Sequence, residues 1–185
     1  MIHIKWRKLG RMFCPKGDVG WMASHAMMPC VRSLCSGDFR VYFSTRDQFN
    51  KSRPASVDFN IRNPRKIYNL SADPLLELGA LGAYDDSGVM PTCVIENNGI
   101  PYMFFNGWCL GKDVPFYSFN GIAEETHEGR FRKLADYPNA LNRSASDPYS
   151  TFAPFVMFDE GKWRMWYVSL IKWDSSKRHY YHIKY

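Results

Sequence analysis

Two adjacent aspartates, Asp85 and Asp86, are the residues of this sequence best suited to acid chemistry. They precede an apolar segment over 89–94 that is predicted to be a strand. When two carboxylates lie together beside apolar residues, the pKa of one is raised, as a general acid requires. Aspartates also cap turns through their side-chain oxygens, so the same pair fits a structural turn. The sequence leaves both roles open, with Asp86 favoured over Asp85 as the group that faces a binding site.

Three other polar side chains offer binding or proton-transfer chemistry. His25 can act as a base near neutral pH or donate to a ligand, and it fits a structural histidine equally well. Arg46 and Asp47 end a predicted strand, where they either line a pocket or form an ion pair of little energetic value. The five cysteines are widely spaced and include no Cys-x-x-Cys pair, so neither a metal nor another cofactor is expected.

The elements that must position these residues recur three times along the chain. A proline within an apolar segment occurs at Pro29, Pro91 and Pro154, at intervals of about 62 residues. Each proline is followed by a turn containing glycine and then by an aromatic segment, the pattern of an antiparallel hairpin. We therefore predict an all-β fold, a β-propeller of four-stranded antiparallel blades. The first strand of each blade should follow its proline and line the central axis.

The repeat spacing also predicts how much of a propeller the chain supplies. One domain over 1–185 is expected, with blades at approximately 9–70, 70–134 and 134–185, the last without its outer strand. Propellers close with about four to eight blades, so about three of five blades are present and the chain is interpreted as truncated. The flanks of the first and third blades should then be open and drive self-association.

Composition limits the classes of partner. The chain has 24 Lys+Arg and 18 Asp+Glu, a formal net charge of +6, but the charges are interspersed and no basic recognition helix is predicted. Nucleic acid is therefore not an expected partner. A membrane is not expected either, because no apolar segment approaches the roughly 20 residues needed to span one. The first residues lack an apolar signal segment, so a cytoplasmic protein is predicted.

Six segments of the sequence together resemble a known protein family. They are 21–26, 42–47, 84–91, 105–108, 164–169 and 181–185. They resemble the glycosidase-like five-bladed propellers of bacterial polysaccharide gene clusters, relatives of invertase, levansucrase and arabinanase in glycoside hydrolase families 32, 43, 68 and 130. The resemblance extends from Trp6 to Tyr185, and it is more specific for the fold than for an activity.

The resemblance implies a catalytic arrangement that can be compared with this sequence. Active members place one carboxylate from each of the first three blades in the central funnel, where one protonates the leaving oxygen and another attacks or activates water. Asp85 and Asp86 match the position in the second blade. The first blade has no carboxylate at the matching place, and in the third blade Tyr149 stands there with Asp147 as the nearest acid. The carboxylate set of this chain is therefore incomplete.

The sequence thus predicts a glycoside hydrolase-like protein that acts on or binds a glycan or activated sugar in the funnel. The alternative is a carbohydrate-binding or scaffold module without turnover. The catalytic candidates are Asp86 and Asp85, and the predicted substrate-binding residues are His25, Arg46, Asp47, Trp21, Trp108, Tyr149, Asp147 and Trp173. The tryptophan rings can stack on the C–H faces of sugars, although blade packing also needs large rings.

Overall fold

The computed structural model describes residues 5–185, and in that range it consists of eleven strands without a helix. The first four strands form an antiparallel sheet: β1 (Ser24–Ser33), β2 (Asp38–Arg46), β3 (Ser52–Asn60) and β4 (Asn63–Tyr68). A second antiparallel sheet follows: β5 (Gly88–Asn97), β6 (Ile100–Leu110), β7 (Phe116–Glu125) and β8 (Phe131–Lys133). The third has three strands: β9 (Thr151–Asp159), β10 (Lys162–Trp173) and β11 (His179–Lys184). The predicted all-β fold is confirmed.

The three sheets sit side by side, with their first strands β1, β5 and β9 as successive neighbours. The first two sheets are also joined by one parallel backbone pair, between Ser52 and Gly88. The hairpins that open the sheets close on turns with two positive φ angles, for example 51° at Asn98 and 75° at Gly99. Such turns match the right-handed twist of the flanking strands and favour glycine at the second position. The glycine-containing turn predicted between the first two strands of each unit is therefore present in all three sheets.

The predicted start of each inner strand is wrong, because the prolines lie inside the strands. Pro29, Pro91 and Pro154 stand in β1, β5 and β9, and the pairing with the next strand shifts register at each of them. Proline has no N–H to donate to the ladder, and a bulge removes the need for that bond. Each inner strand therefore continues through its proline and is bent there.

Two apolar clusters hold adjacent sheets together. The larger lies between the first and second sheets and includes Tyr42, Met103 and Phe105, all fully buried, together with residues of the connecting segment 75–84. The smaller lies between the second and third sheets, around Phe104 and Val156. Burial of apolar area at about 25 cal/mol per Å² makes these contacts the main force that holds the sheets in place.

The two outer flanks of the array differ from each other, contrary to the expectation that both are open. A third apolar cluster covers the outer face of the first sheet, where the segment 13–22 packs on Phe43, Ala55 and Val57. The outer face of the third sheet is bare: Phe155 is 52% exposed and Ile183 is 76% exposed. Within β9, Val156 is buried against the second sheet, whereas Phe155, Met157 and Phe158 are exposed.

Two further features are absent from the described part of the chain. Among residues 5–185 there is no helix with the length and apolar character needed to cross a bilayer. The described residues also contain no group of three or more His, Cys, Asp or Glu side chains that could hold a metal ion.

Candidate functional site

A cavity of about 320 Å³ lies where the three sheets meet, and we call it the central cavity. Its lining comes from seven strands: Met28, Arg46, Met90, Asn106, Trp108, Phe116, Ser118, Phe152, His179 and Tyr181. A larger cleft of about 470 Å³ opens between the second and third sheets. That cleft is mostly apolar and contains none of the predicted site residues. The central cavity is therefore the candidate functional site.

Arg46 and Trp108 form one wall of the central cavity. The Arg46 guanidinium carbon lies 5.8 Å from the centre of the Trp108 ring, within the range of a cation–π contact. The indole Nε1 of Trp108 donates to the hydroxyl of Ser52 at 2.8 Å, which fixes the ring. A Cβ on Gly88 would collide with both Trp108 and Ser52, so glycine is required for the ring to lie here.

The opposite wall is an aromatic group that links the second and third sheets. Phe116 makes edge contacts with Phe152, Trp173 and His179, at ring-centre distances between 5.5 and 5.9 Å. His179 also stacks on Tyr181 at 5.6 Å. Edge and offset contacts of this kind are the favoured geometries of aromatic pairs. The predicted residue Trp173 therefore supports the cavity from behind rather than lining it.

Asp85 does not line the central cavity. It is 1% exposed, and its carboxylate forms an ion pair with Lys133 on the outermost strand of the second sheet. A Cβ on Gly107 would collide with the side chains of Tyr84 and Asp85, so the carboxylate is held tightly beneath the sheet. The position supports a structural ion pair, and the structure does not bring Asp85 to a place where a ligand could reach it.

Asp86 is half-buried and caps the turn before β5. Its Oδ2 accepts from the backbone N–H of Gly82 at 2.9 Å, and its Oδ1 accepts from the hydroxyl of Ser87 at 2.8 Å. This is the turn-capping arrangement that the sequence left open beside the catalytic one. Asp86 is not among the residues that line the central cavity.

The side chains of Arg46 and Asp47, which the sequence predicted to act together, lie in different places. Arg46 faces the central cavity, whereas Asp47 accepts from the backbone N–H groups of Phe49 and Lys51 and from Arg53 Nη1, each at 2.8 to 2.9 Å. Burial raises the pKa of Asp47, but the hydrogen bonds from Arg53 and the two amides outweigh it, so the pKa is lowered overall. Asp47 thus closes the loop that connects β2 to β3.

Two other predicted residues from the first blade lie away from the cavity lining. His25 is exposed at the start of β1, with a positive φ of 65° and its Nδ1 2.8 Å from the hydroxyl of Ser24. Trp21 packs on the outer face of the first sheet and donates to the carbonyl of Ala72 at 3.0 Å. The geometry of Trp21 is that of a packing residue.

Asp147 and Tyr149 lie in the segment before β9, where Asp147 fastens the end of the third sheet. Its Oδ1 is 3.0 Å from Lys184 Nζ, and its Oδ2 accepts from the Tyr167 hydroxyl at 3.2 Å. Burial opposes ionisation, but the interactions with Ser169, Lys184 and Tyr167 stabilise the charged form and lower the pKa of Asp147 to about 2. Tyr149 is exposed, and its carbonyl accepts from Arg143 Nε at 3.0 Å. Neither residue reaches the central cavity.

Sequence reasoning thus found two cavity-lining residues, Arg46 and Trp108, and missed the rest of the lining. The missed polar and aromatic groups include Asn106, Ser118, His179 and Tyr181. Asn106 also joins the second and third sheets, because its Oδ1 accepts from Ala153 N–H at 2.8 Å. The available signal was the alternation within β6, which places Asn106 and Trp108 on one face.

Comparison with curated proteins finds two relatives in Mycobacterium tuberculosis. They are the uncharacterized proteins MT1551, of strain CDC 1551 / Oshkosh, and Rv1502, of strain H37Rv. Each is 35% identical over 170 residues, which cover 92% of this chain and 56% of the relative. The chain thus spans little more than half the length of these relatives. A scan against protein-family models finds no match.

Comparison with solved structures finds glycoside hydrolases at low sequence identity. A thermostable family-43 glycoside hydrolase has a TM-score of 0.59 at 18% identity, over 89% of this chain and 51% of that protein. Another glycoside hydrolase has a TM-score of 0.64 at 9% sequence identity, over 94% of this chain and 50% of that protein. Zg3597, a family 117 glycoside hydrolase of Zobellia galactanivorans, has a TM-score of 0.52 at 14% sequence identity, over 91% of this chain and 47% of that protein.

These likenesses define the fold class of the chain. It is an all-β protein with the architecture of β-propeller glycoside hydrolases, in four-stranded antiparallel blades of which about three are present. The similarity to hydrolases of propeller-like families supports the family resemblance at this level. The number of blades in a closed ring and the exact family stay predictions.

Proposed function

We propose that the chain binds a carbohydrate in the central cavity. The observation that carries the proposal is the composition of that cavity, where the Trp108 ring and the aromatic wall adjoin Arg46, Asn106 and Ser118. Sugars present apolar C–H faces to aromatic rings and hydroxyl oxygens to hydrogen-bond donors, so both kinds of surface are needed. The glycoside hydrolase fold of the structural neighbours is consistent with such a ligand.

Hydrolysis of a glycosidic bond is the second candidate, and the fold of the structural neighbours favours it. Glycosidases of the usual kind place two carboxyl groups about 5 to 9.5 Å apart on either side of the scissile bond. No Asp or Glu lines the central cavity among the described residues. Asp86 remains the catalytic candidate, with Asp85 behind it, for the activity of a longer whole protein in bacterial polysaccharide metabolism.

Replacing Trp108 by alanine is expected to weaken glycan binding about fivefold, since one aromatic contact contributes on the order of 1 kcal/mol. Trp108→Phe keeps a ring and should retain most of the affinity. Trp163→Ala, in the other cleft, is the matched control and should bind normally. Titration calorimetry against a glycan panel measures the affinities, with thermal unfolding as the folding check.

The same panel separates binding from hydrolysis. If the unmodified chain cleaves a glycan and Asp86→Asn stops cleavage but retains binding, the hydrolase candidate gains the support that the cavity lining does not give it. If folded Trp108→Ala binds every glycan as tightly as the unmodified chain, or if Trp163→Ala loses binding equally, the central cavity is not the binding site. The cytoplasmic location and the absence of nucleic-acid and membrane partners stay predictions from the sequence.

We also propose that the chain self-associates through the outer face of the third sheet. Phe155, Met157, Ile183 and Tyr185 are exposed on this sheet, and contiguous apolar surface of this kind favours association. Segment 13–22 covers the outer face of the first sheet, so the apolar surface that a second copy of this chain offers to the bare face is its own third sheet. A two-fold dimer is the arrangement that buries both faces.

Sedimentation at micromolar concentration is expected to show a dimer, and Ile183→Lys is expected to convert it to a monomer by placing a charge in the contact. Phe49→Lys is the matched control, since Phe49 is exposed on a loop of the first sheet, away from this face. A monomeric unmodified chain, or a dimer that persists in Ile183→Lys, would contradict the proposal.

A further inference from the structure

We propose that the sugar bound in the central cavity carries an anionic group, which Arg46 holds. This inference rests on the proposed carbohydrate function and names its substrate class. Arg46 is the only arginine or lysine in the cavity lining, and the described lining contains no aspartate or glutamate. The cavity therefore has a positive charge that no lining residue balances.

Three of the aspartates that the sequence predicted for the site are already paired with other residues. Asp47 pairs with Arg53 at 2.8 Å, while Asp85 and Asp147 each pair with a lysine. Among the ion pairs of residues 5–185, none includes Arg46. A guanidinium stays protonated throughout the physiological range, so a ligand that enters the cavity meets a full positive charge.

Unpartnered donors around the cavity point to an acceptor-rich ligand. Arg46 Nε and Ser118 Oγ are buried, and neither has a hydrogen-bond partner among the described residues. Buried polar groups in folded proteins are nearly always paired. Both atoms can donate and both belong to residues that line the cavity, so a group that offers several acceptor oxygens supplies what the cavity lacks.

The geometry of Arg46 favours a planar or tetrahedral oxyanion over a neutral hydroxyl. The contact with Trp108 holds the guanidinium in place, so less side-chain freedom is lost when a ligand binds. Its remaining N–H groups can make two parallel bonds to a carboxylate, phosphate or sulfate. The sugar ring itself would lie against the aromatic side of the cavity, at Phe116, Phe152 and Tyr181.

The test is titration calorimetry of the full 185-residue chain with glucuronate and glucose, which differ at one carbon by a carboxylate. We expect glucuronate to bind at least tenfold more tightly, with the difference decreasing as salt increases, because dissolved ions screen the attraction between the two charges. Glucose 6-phosphate and glucose 6-sulfate are separate arms, and the tightest ligand identifies which oxyanion the cavity prefers.

Variants connect any preference to Arg46. Arg46→Met should reduce the ratio of the glucuronate affinity to the glucose affinity to about one. Arg46→Lys keeps the charge but loses the two parallel N–H donors of the guanidinium, so its ratio should fall between those of Arg46→Met and the unmodified chain. Arg164→Met, in the other cleft, is the control and should leave the ratio unchanged. If Arg46→Met fails to fold, the comparison of Arg46→Lys with the unmodified chain decides whether Arg46 holds the group. Equal binding of glucuronate, the two esters and glucose overturns this inference and leaves the proposed function intact, whereas binding of no sugar at all overturns both.

Discussion

Replacing Asp85 by alanine is expected to lower the free energy of unfolding by about 3 to 5 kcal/mol. Asp85 is 1% exposed, and the side chain of Lys133, its ion-pair partner, is also largely buried. The alanine variant leaves the ammonium of Lys133 in the protein interior without its counter-charge. Removal of one partner from a buried pair is costly for this reason, even where the intact pair itself contributes little net stability.

Urea unfolding followed by tryptophan fluorescence measures this change, with Glu124→Ala as the matched control. Glu124 pairs with Arg132, on the same strand as Lys133, but Arg132 is mostly exposed. Exposed pairs contribute about 0 to 1 kcal/mol, so the control should unfold nearly normally. A double variant, Asp85→Leu with Lys133→Met, removes both charges and should recover much of the lost stability. If Asp85→Ala is as stable as Glu124→Ala, Asp85 does not stabilise the fold through its ion pair, and the hypothesis that it is catalytic is favoured again.

Acidification is expected to release the third sheet through protonation of Asp147. The pKa of Asp147 is lowered to about 2 in the folded chain, whereas an unperturbed aspartate titrates near 3.9. A lowered folded-state pKa contributes stability that is present above the unfolded value and is lost as pH falls through the folded one. The affected window is therefore between about pH 4 and pH 2, and the contribution is about 2.5 kcal/mol.

The contribution is measured as the difference in unfolding free energy between the unmodified chain and Asp147→Asn. That difference should be constant from pH 7 to pH 5 and disappear near pH 2. Asp159→Asn is the control, since Asp159 pairs with Arg164 and both side chains are substantially exposed. A difference that persists unchanged at pH 2 would show that the ion pair with Lys184 is not the source of the stability.

Much of the fold could be predicted because the repeated pattern is local. Alternating side chains and glycine turns specify each hairpin, and the three predicted hairpins are present as β1–β2, β5–β6 and β9–β10. The bulges at Pro29, Pro91 and Pro154 were not predicted. Whether a proline starts a strand or bends one depends on the partner strand, which a local pattern does not contain.

The site was predicted less well, since the central cavity is formed by contacts between sheets. Trp108 and Arg46 were found because each ends a recognisable strand. Ser118 and His179 come from third strands of two different sheets, and no spacing along the sequence connects them. Asp86 shows a second limit of the sequence. Its residue type suits both catalysis and turn capping, and the hydrogen bonds that cap the turn become visible only in three dimensions.

Because one outer face of the three sheets is covered and the other is bare, only one end can accept an added blade directly. Repeat arrays need a polar or covered terminal unit at each end, and consensus units can be added only where an uncovered face accepts them. Segment 13–22 already serves as such a cap on the first sheet, through residues including Phe13 and Val19. An added designed blade therefore has to join at the third-sheet side, where Phe155 and Ile183 offer the matching surface. A blade fused on the first-sheet side would first have to displace the cap.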